Sequence, residues 1–199
     1  MADFKIKPAS GTGNSLELQN EAGNVVFSTN NGTGASSWGT VAPAGTVIQV
    51  LGVVKTDTES YTTSGTWTNI DDITQTITLG SASNKVLMQF NGSFGMNDTY
   101  HHYIRFARGG TGIGVGDAAG SRIQCAAKID YPHDDTDLIM VHATPIQFIG
   151  APGSVGPHTY TVQYYVGGGT MYVNRSSTDT DSANFARTIC TFTLTEIVA

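Results

Sequence analysis

Apolar and polar residues alternate along most of this chain with the period of two expected of half-buried strands. Ile73, Ile77 and Leu79 are interleaved with Thr74, Thr76 and Thr78. Val86, Met88, Phe90 and Phe94 share one face, as do Tyr160, Val162, Tyr164 and Val166. Cys190, Phe192 and Leu194 point inward in a last strand predicted over 187–198. Further strands are predicted over 61–70, 103–108, 122–128 and 171–174. Clusters of Gly, Asn, Ser and Asp separate the runs, and no helical apolar repeat exceeds about ten residues. About eight to ten strands spaced by turns predict an all-β chain, an antiparallel jelly-roll sandwich.

Two runs break the alternation because they are apolar on both faces. In Val47–Lys55, Val47, Leu51 and Val53 lie on one face and Ile48, Val50 and Val54 on the other. The run 137–149 is similar. One face of an antiparallel sandwich normally meets water, so a strand apolar on both sides needs a second cover. A subunit interface is therefore expected along 47–54 or 138–149. Its candidates are Val47, Ile48, Val50, Leu51, Leu138, Met140, Ile146 and Phe148.

Three segments follow from the pattern. Residues 1–29 form a small N-terminal strand-rich element, with a Gly-containing turn at 20–24 between two short strands. Such a hairpin is too small to stand alone and is expected to pack on something else. Residues 30–45 have linker composition, interrupted by Trp38, which reads equally well as an anchor for a neighbour or as a side chain tucked on its own domain. Residues 46–199 form the main domain.

Composition narrows the function. The chain has 199 residues, enough for one sizeable core without disulfides or metal. Only 13% of residues are charged, so Thr, Ser and Asn supply the polarity, which limits repulsion between adjacent copies. The net charge is −6 and no basic stripe exists, which excludes a nucleic-acid groove. No apolar run reaches the roughly 20 residues of a membrane helix, and residues 1–8 carry no apolar signal region. A soluble, non-exported protein is expected. Cys125 and Cys190 read as two small buried hydrophobes more readily than as a disulfide.

Candidate chemistry is sparse. Gly109, Gly110, Gly112, Gly114 and Gly116 thin one loop, but no helix pattern follows, so a dinucleotide site is not expected. His101, His102 and His133 with Asp134, Asp135 and Asp137 are metal-ligand types. Neighbouring strand residues point to opposite faces, however, and a calcium loop's Gly and terminal Glu are missing. No metal or cofactor is expected. Ser121, His133 and Asp137 form no credible triad, no nucleophile elbow is present, and Asp117 with Asp130 is only a conceivable acid pair. No catalytic residue is assigned. Asn97, Asp98, Tyr100, His102, Tyr103, Tyr131 and His133 remain as candidate contacts to a sugar, since rings stack on a pyranose and amides meet its hydroxyls.

The stretches 15–29, 45–50, 113–122, 160–174 and 192–198 resemble virion structural proteins of marine tailed phages, notably those infecting cyanobacteria. Such proteins look like fibre or decoration parts, with a C-terminal jelly-roll knob similar to the tumour-necrosis-factor and C1q heads. The resemblance implies a homotrimer and carries over no catalytic residue. It also implies attachment to other virion proteins through residues 1–29 and assembly in the host cytoplasm. The expectation is a non-enzymatic short fibre or decoration protein whose knob touches host surface polysaccharide. The alternatives are a tail-fibre adhesin recognising a host glycan and a polysaccharide-degrading enzyme.

Overall fold

The computed structural model describes residues 5–8, 16–29, 36–38, 42–62, 65–97, 100–129 and 141–199. No helix occurs among them, and every strand pairing is antiparallel. The chain divides into two compact units, Met1–Thr46 with Val198, and Val47–Ile197 with Ala199.

The first unit contains β1 (Lys5–Pro8), β2 (Leu16–Gln19), β3 (Val25–Thr29) and β4 (Ser36–Trp38) in one sheet of that order. The β2–β3 turn closes where Asn20 Oδ1 accepts from the Asn24 amide at 3.0 Å. The register aligns Ile6, Leu18, Phe27 and Trp38 across all four strands. Within the segment 30–45, Ser36–Trp38 pairs with β3, with Trp38 in register with Phe27.

The second unit begins with β5 (Val47–Lys55), β6 (Glu59–Tyr61), β7 (Thr68–Leu79), β8 (Lys85–Met96) and β9 (His102–Arg108). It continues with β10 (Thr111–Ile113), β11 (Ala127–Ile129), β12 (His142–Gly150), β13 (Gly156–Val166), β14 (Met171–Val173) and β15 (Cys190–Ile197). One sheet runs β5–β15–β8–β12, with β14 and β6 extending it beyond the end of β15. The other runs β7–β13–β9, and both β10 and β11 pair with β9. The first sheet alternates early and late strands, and the second nests between them. That interleaving is the two-sheet jelly-roll arrangement.

Between the sheets lies the core that the alternation predicts. Ile73, Ile77, Val86, Met88, Phe90, Phe94, Val162, Val166, Phe192 and Leu194 are all buried. Phe106 of β9 stacks on Phe192 of β15 with ring centroids 5.9 Å apart, joining the sheets at mid-core. Each such side chain contributes about 1.5–3 kcal/mol through burial. Two strand expectations change. The run 61–70 divides into the end of β6 and the start of β7, and of the expected 122–128 strand only 127 and 128 pair with β9, in a strand that runs on to Ile129.

The corner between β5 and β6 is tied by Lys55, whose side chain is fully buried. Its Nζ meets Asp57 at 2.9 Å, Glu59 at 3.4 Å and Asp72 at 3.6 Å. Asn174, following β14, donates from Nδ2 to the Lys55 and Asp57 carbonyls at 3.0 and 2.9 Å.

Candidate functional site

The three central rows on the outer face of β5–β15–β8–β12 are built from neutral side chains, with Lys85 at the start of β8 lying beyond them. Register places Gly52, Thr193, Gln89 and Gln147 in one row across the four strands. Val54, Thr191, Asn91 and Pro145 form the row on one side; Val50, Thr195, Leu87 and Ile149 form the row on the other. Val50 is 58% exposed, Val54 56% and Ile149 49%. Gln89, Asn91, Pro145, Gln147, Thr191 and Thr193 border an open concavity of about 730 Å³ on this face.

These rows sort the candidate interface residues. Val47, Ile48 and Val50 are exposed. Leu51 and Phe148 pack on the core instead, and Ile146 is buried opposite Phe90. The correction is one of strand parity: in β12 the inward positions are 146 and 148, and the outward ones are Pro145, Gln147 and Ile149. Leu138 and Met140 lie outside the described residues.

The outer face of the second sheet has different chemistry. Lys128, Tyr103 and Tyr165 occupy one row on β11, β9 and β13. Trp67, just before β7, extends it: its ring lies 5.6 Å from that of Tyr165, and Tyr103 meets Tyr165 edge-on at 5.8 Å. The next row is Arg105, Gln163 and Asn69. Arg105 Nε donates to Gln163 Oε1 at 2.9 Å, and Gln163 Nε2 donates to Asn69 Oδ1 at 3.1 Å. The guanidinium carbon sits 4.1 Å from the centroid of the Trp67 ring. Burial lowers the Arg105 pKa.

Of the candidate sugar contacts, Tyr103 alone joins this aromatic row. Asn97 is exposed, but its Oδ1 accepts from the Thr170 amide at 2.9 Å, which makes it a latch between loops. Tyr100 is exposed, and its ring lies against Gly168. His102 is 0% exposed, because β9 begins there and turns that side chain into the sandwich; this corrects its reading as a surface contact. Asp98, Tyr131 and His133 lie outside the described residues. Trp67, Arg105, Gln163 and Tyr165 were missed by sequence reasoning. Their signal was faint: Gln163 and Tyr165 are the outward partners of Tyr164 and Val166 in an alternating strand.

The glycine-rich run forms β10 and the turn after it. With Met88, Arg108, Phe148 and Tyr160 it borders an open pocket of about 440 Å³. No helix follows the run that would turn an N-terminus toward a phosphate. Among the described residues no group of three or more His, Cys, Asp or Glu is placed to hold a metal ion. Cys125 and Cys190 are unbonded to each other, and burial pushes the Cys190 thiol up to about 11. No protein-family model and no curated protein sequence matches this chain.

Proposed function

We propose that this chain is a non-enzymatic structural protein of a tailed-phage virion. In this reading it is a short fibre or decoration appendage that assembles as a homotrimer through its second unit. Residues 1–29 fasten it to other virion proteins, and the jelly-roll knob faces outward toward host surface polysaccharide.

The observation that carries the reading is the set of three neutral rows at the centre of the outer face of β5–β15–β8–β12. A chain with net charge −6 repels its own copies wherever charged surfaces meet. This face holds rows of Val, Leu, Ile, Thr, Gln and Asn, and the cores of protein interfaces are likewise depleted of charged residues. Interleaved strand order also fits a head like those of tumour necrosis factor and C1q.

Light scattering on the purified chain tests the assembly. The reading expects a mass of three chains of 21.0 kDa at micromolar concentration; a single-chain mass overturns it. A density map of the intact particle tests the location. Host polysaccharide left unshortened after long incubation supports the structural role over a degrading enzyme.

A further inference from the structure

The geometry points to a saccharide-binding platform on the outer face of the second sheet, built by Trp67, Tyr103, Tyr165 and Arg105 and selective for a carboxylated sugar. The inference deepens the host-contact part of the proposed function and rests on that reading, although its chemistry is the same in a monomer and a trimer.

Three aromatic rings, each half-buried, gather on the outer side of this sheet. Their flat apolar faces match the C–H face of a pyranose, and their polar edges suit its hydroxyls. Beside them the exposed Asn69 amide, oriented by the bond that its Oδ1 accepts from buried Gln163, presents its Nδ2 as a donor.

Arg105 sets the charge of the ligand. Its position is fixed by the Trp67 ring at 4.1 Å and by the bond from Nε to Gln163 at 2.9 Å. Among the described residues no carboxylate pairs with it. Neither register row around it contains an acid. A partly desolvated guanidinium with no carboxylate partner among the described residues, in an acidic protein, is complementary to an anion. The planar fork left by its two terminal nitrogens matches a carboxylate, which accepts two parallel hydrogen bonds. A uronic acid presents such a carboxylate on a ring that stacks. The ligand class is therefore an acidic polysaccharide built with uronate units.

Titration of the full chain with alginate hexasaccharide tests this, followed by tryptophan emission in the Trp38→Phe background and by calorimetry. Saturable binding is expected, with neutral maltohexaose at least tenfold weaker. Arg105→Gln should weaken alginate binding at least tenfold. Gln163→Glu provides a variant that retains the packing: a carboxylate held against Arg105 satisfies the cation internally, so it should also lose binding at least tenfold while keeping the native circular dichroism. Absence of a saturable response to alginate overturns the inference. So does equal affinity for the neutral oligosaccharide or for a sulfated dextran oligosaccharide, or unchanged affinity in Gln163→Glu. Mass by light scattering is read separately. A trimer that ignores alginate sinks the platform alone, and a monomer that binds it sinks the assembly alone.

Discussion

Gly114 lies directly beneath the Phe148 ring: a Cβ built on it would fall 2.6 Å from Phe148 Cγ. Its φ of +62° is also one that L side chains avoid. A glycine that reads like part of a nucleotide loop is instead the floor for an aromatic side chain packed on the core. Gly114→Ala should therefore destabilise the protein by about 2–4 kcal/mol, from left-handed backbone strain together with overpacking. Urea unfolding measures it. Gly116→Ala is the control, since nothing lies within 4 Å of a Cβ there; its change should stay within about 0.5 kcal/mol.

The inner half of this protein was legible, and the outer half largely was not. Burial selects for apolar residues at every second position, so Ile73, Met88, Phe90, Val162 and Phe192 announce both strand and face. Where both parities are apolar the signal vanishes. Nothing in 137–149 distinguishes inward Phe148 from outward Ile149, and one unknown register step exchanges them. The aromatic platform is harder still. Trp67, Arg105 and Tyr165 are distant in sequence and meet only because β13 pairs with both β7 and β9. No local pattern encodes that pairing. His102 failed for the opposite reason: a polar neighbourhood of Tyr and His looks like a loop, and the first residue of β9 points inward regardless.

Gly112 offers a milder substitution than Gly114. A Cβ there would come within 2.6 Å of Arg105 Nη1, the far end of a flexible side chain. The guanidinium can move aside, so Gly112→Ala should change stability by less than about 1 kcal/mol. Moving the fork off its Trp67 and Gln163 supports should nonetheless weaken alginate binding several-fold. Thermal melting and the same titration, run together, check both halves; a large stability loss with unchanged binding would contradict the assignment.

Lys55 links stability to pH at both ends. Burial by itself lowers its pKa, but the carboxylates of Asp57 and Glu59 outweigh that and raise it above the ordinary 10.5. The bond from Lys55 holds Asp57 below its ordinary 3.8. A raised lysine contributes stability below its unfolded pKa and loses it as pH climbs through the folded value. A depressed aspartate contributes above its unfolded pKa and loses it as pH falls through the folded value. Between these limits, from about pH 4 to about pH 10, the cluster contributes fully. Lys55→Met should cost about 1–3 kcal/mol at pH 7, because three carboxylates lose their common cation. Urea unfolding across pH should show that gap narrowing as the pH falls below 3.8 and through the depressed Asp57 value, where the protonated acid no longer needs the lysine.

Cys190 donates from Sγ to Asn174 Oδ1 at 3.2 Å in the core. Burial with a raised pKa leaves almost no thiolate at pH 8. An aromatic disulfide reagent should therefore reach only half-buried Cys125 in the native protein, slowly, and both thiols after unfolding. Two fast native thiols would contradict the packing of β15.

The neutral face makes the most direct prediction about assembly. Thr193 lies at its centre, between Gly52 on β5 and Gln89 on β8. In the proposed trimer a carboxylate there would be carried into the contact by every copy, desolvated among neutral rows, at a cost of several kcal/mol per ion. Thr193→Asp should reduce the measured mass to that of one 21.0 kDa chain while leaving the circular dichroism native. The same change at Thr159, exposed on the other sheet beside Thr76, should leave the mass unaltered. Since both substitutions add one negative charge to a chain already at −6, a difference between them cannot come from net repulsion. It isolates the contribution of the face itself, and two variants that both keep the three-chain mass would show that copies meet elsewhere.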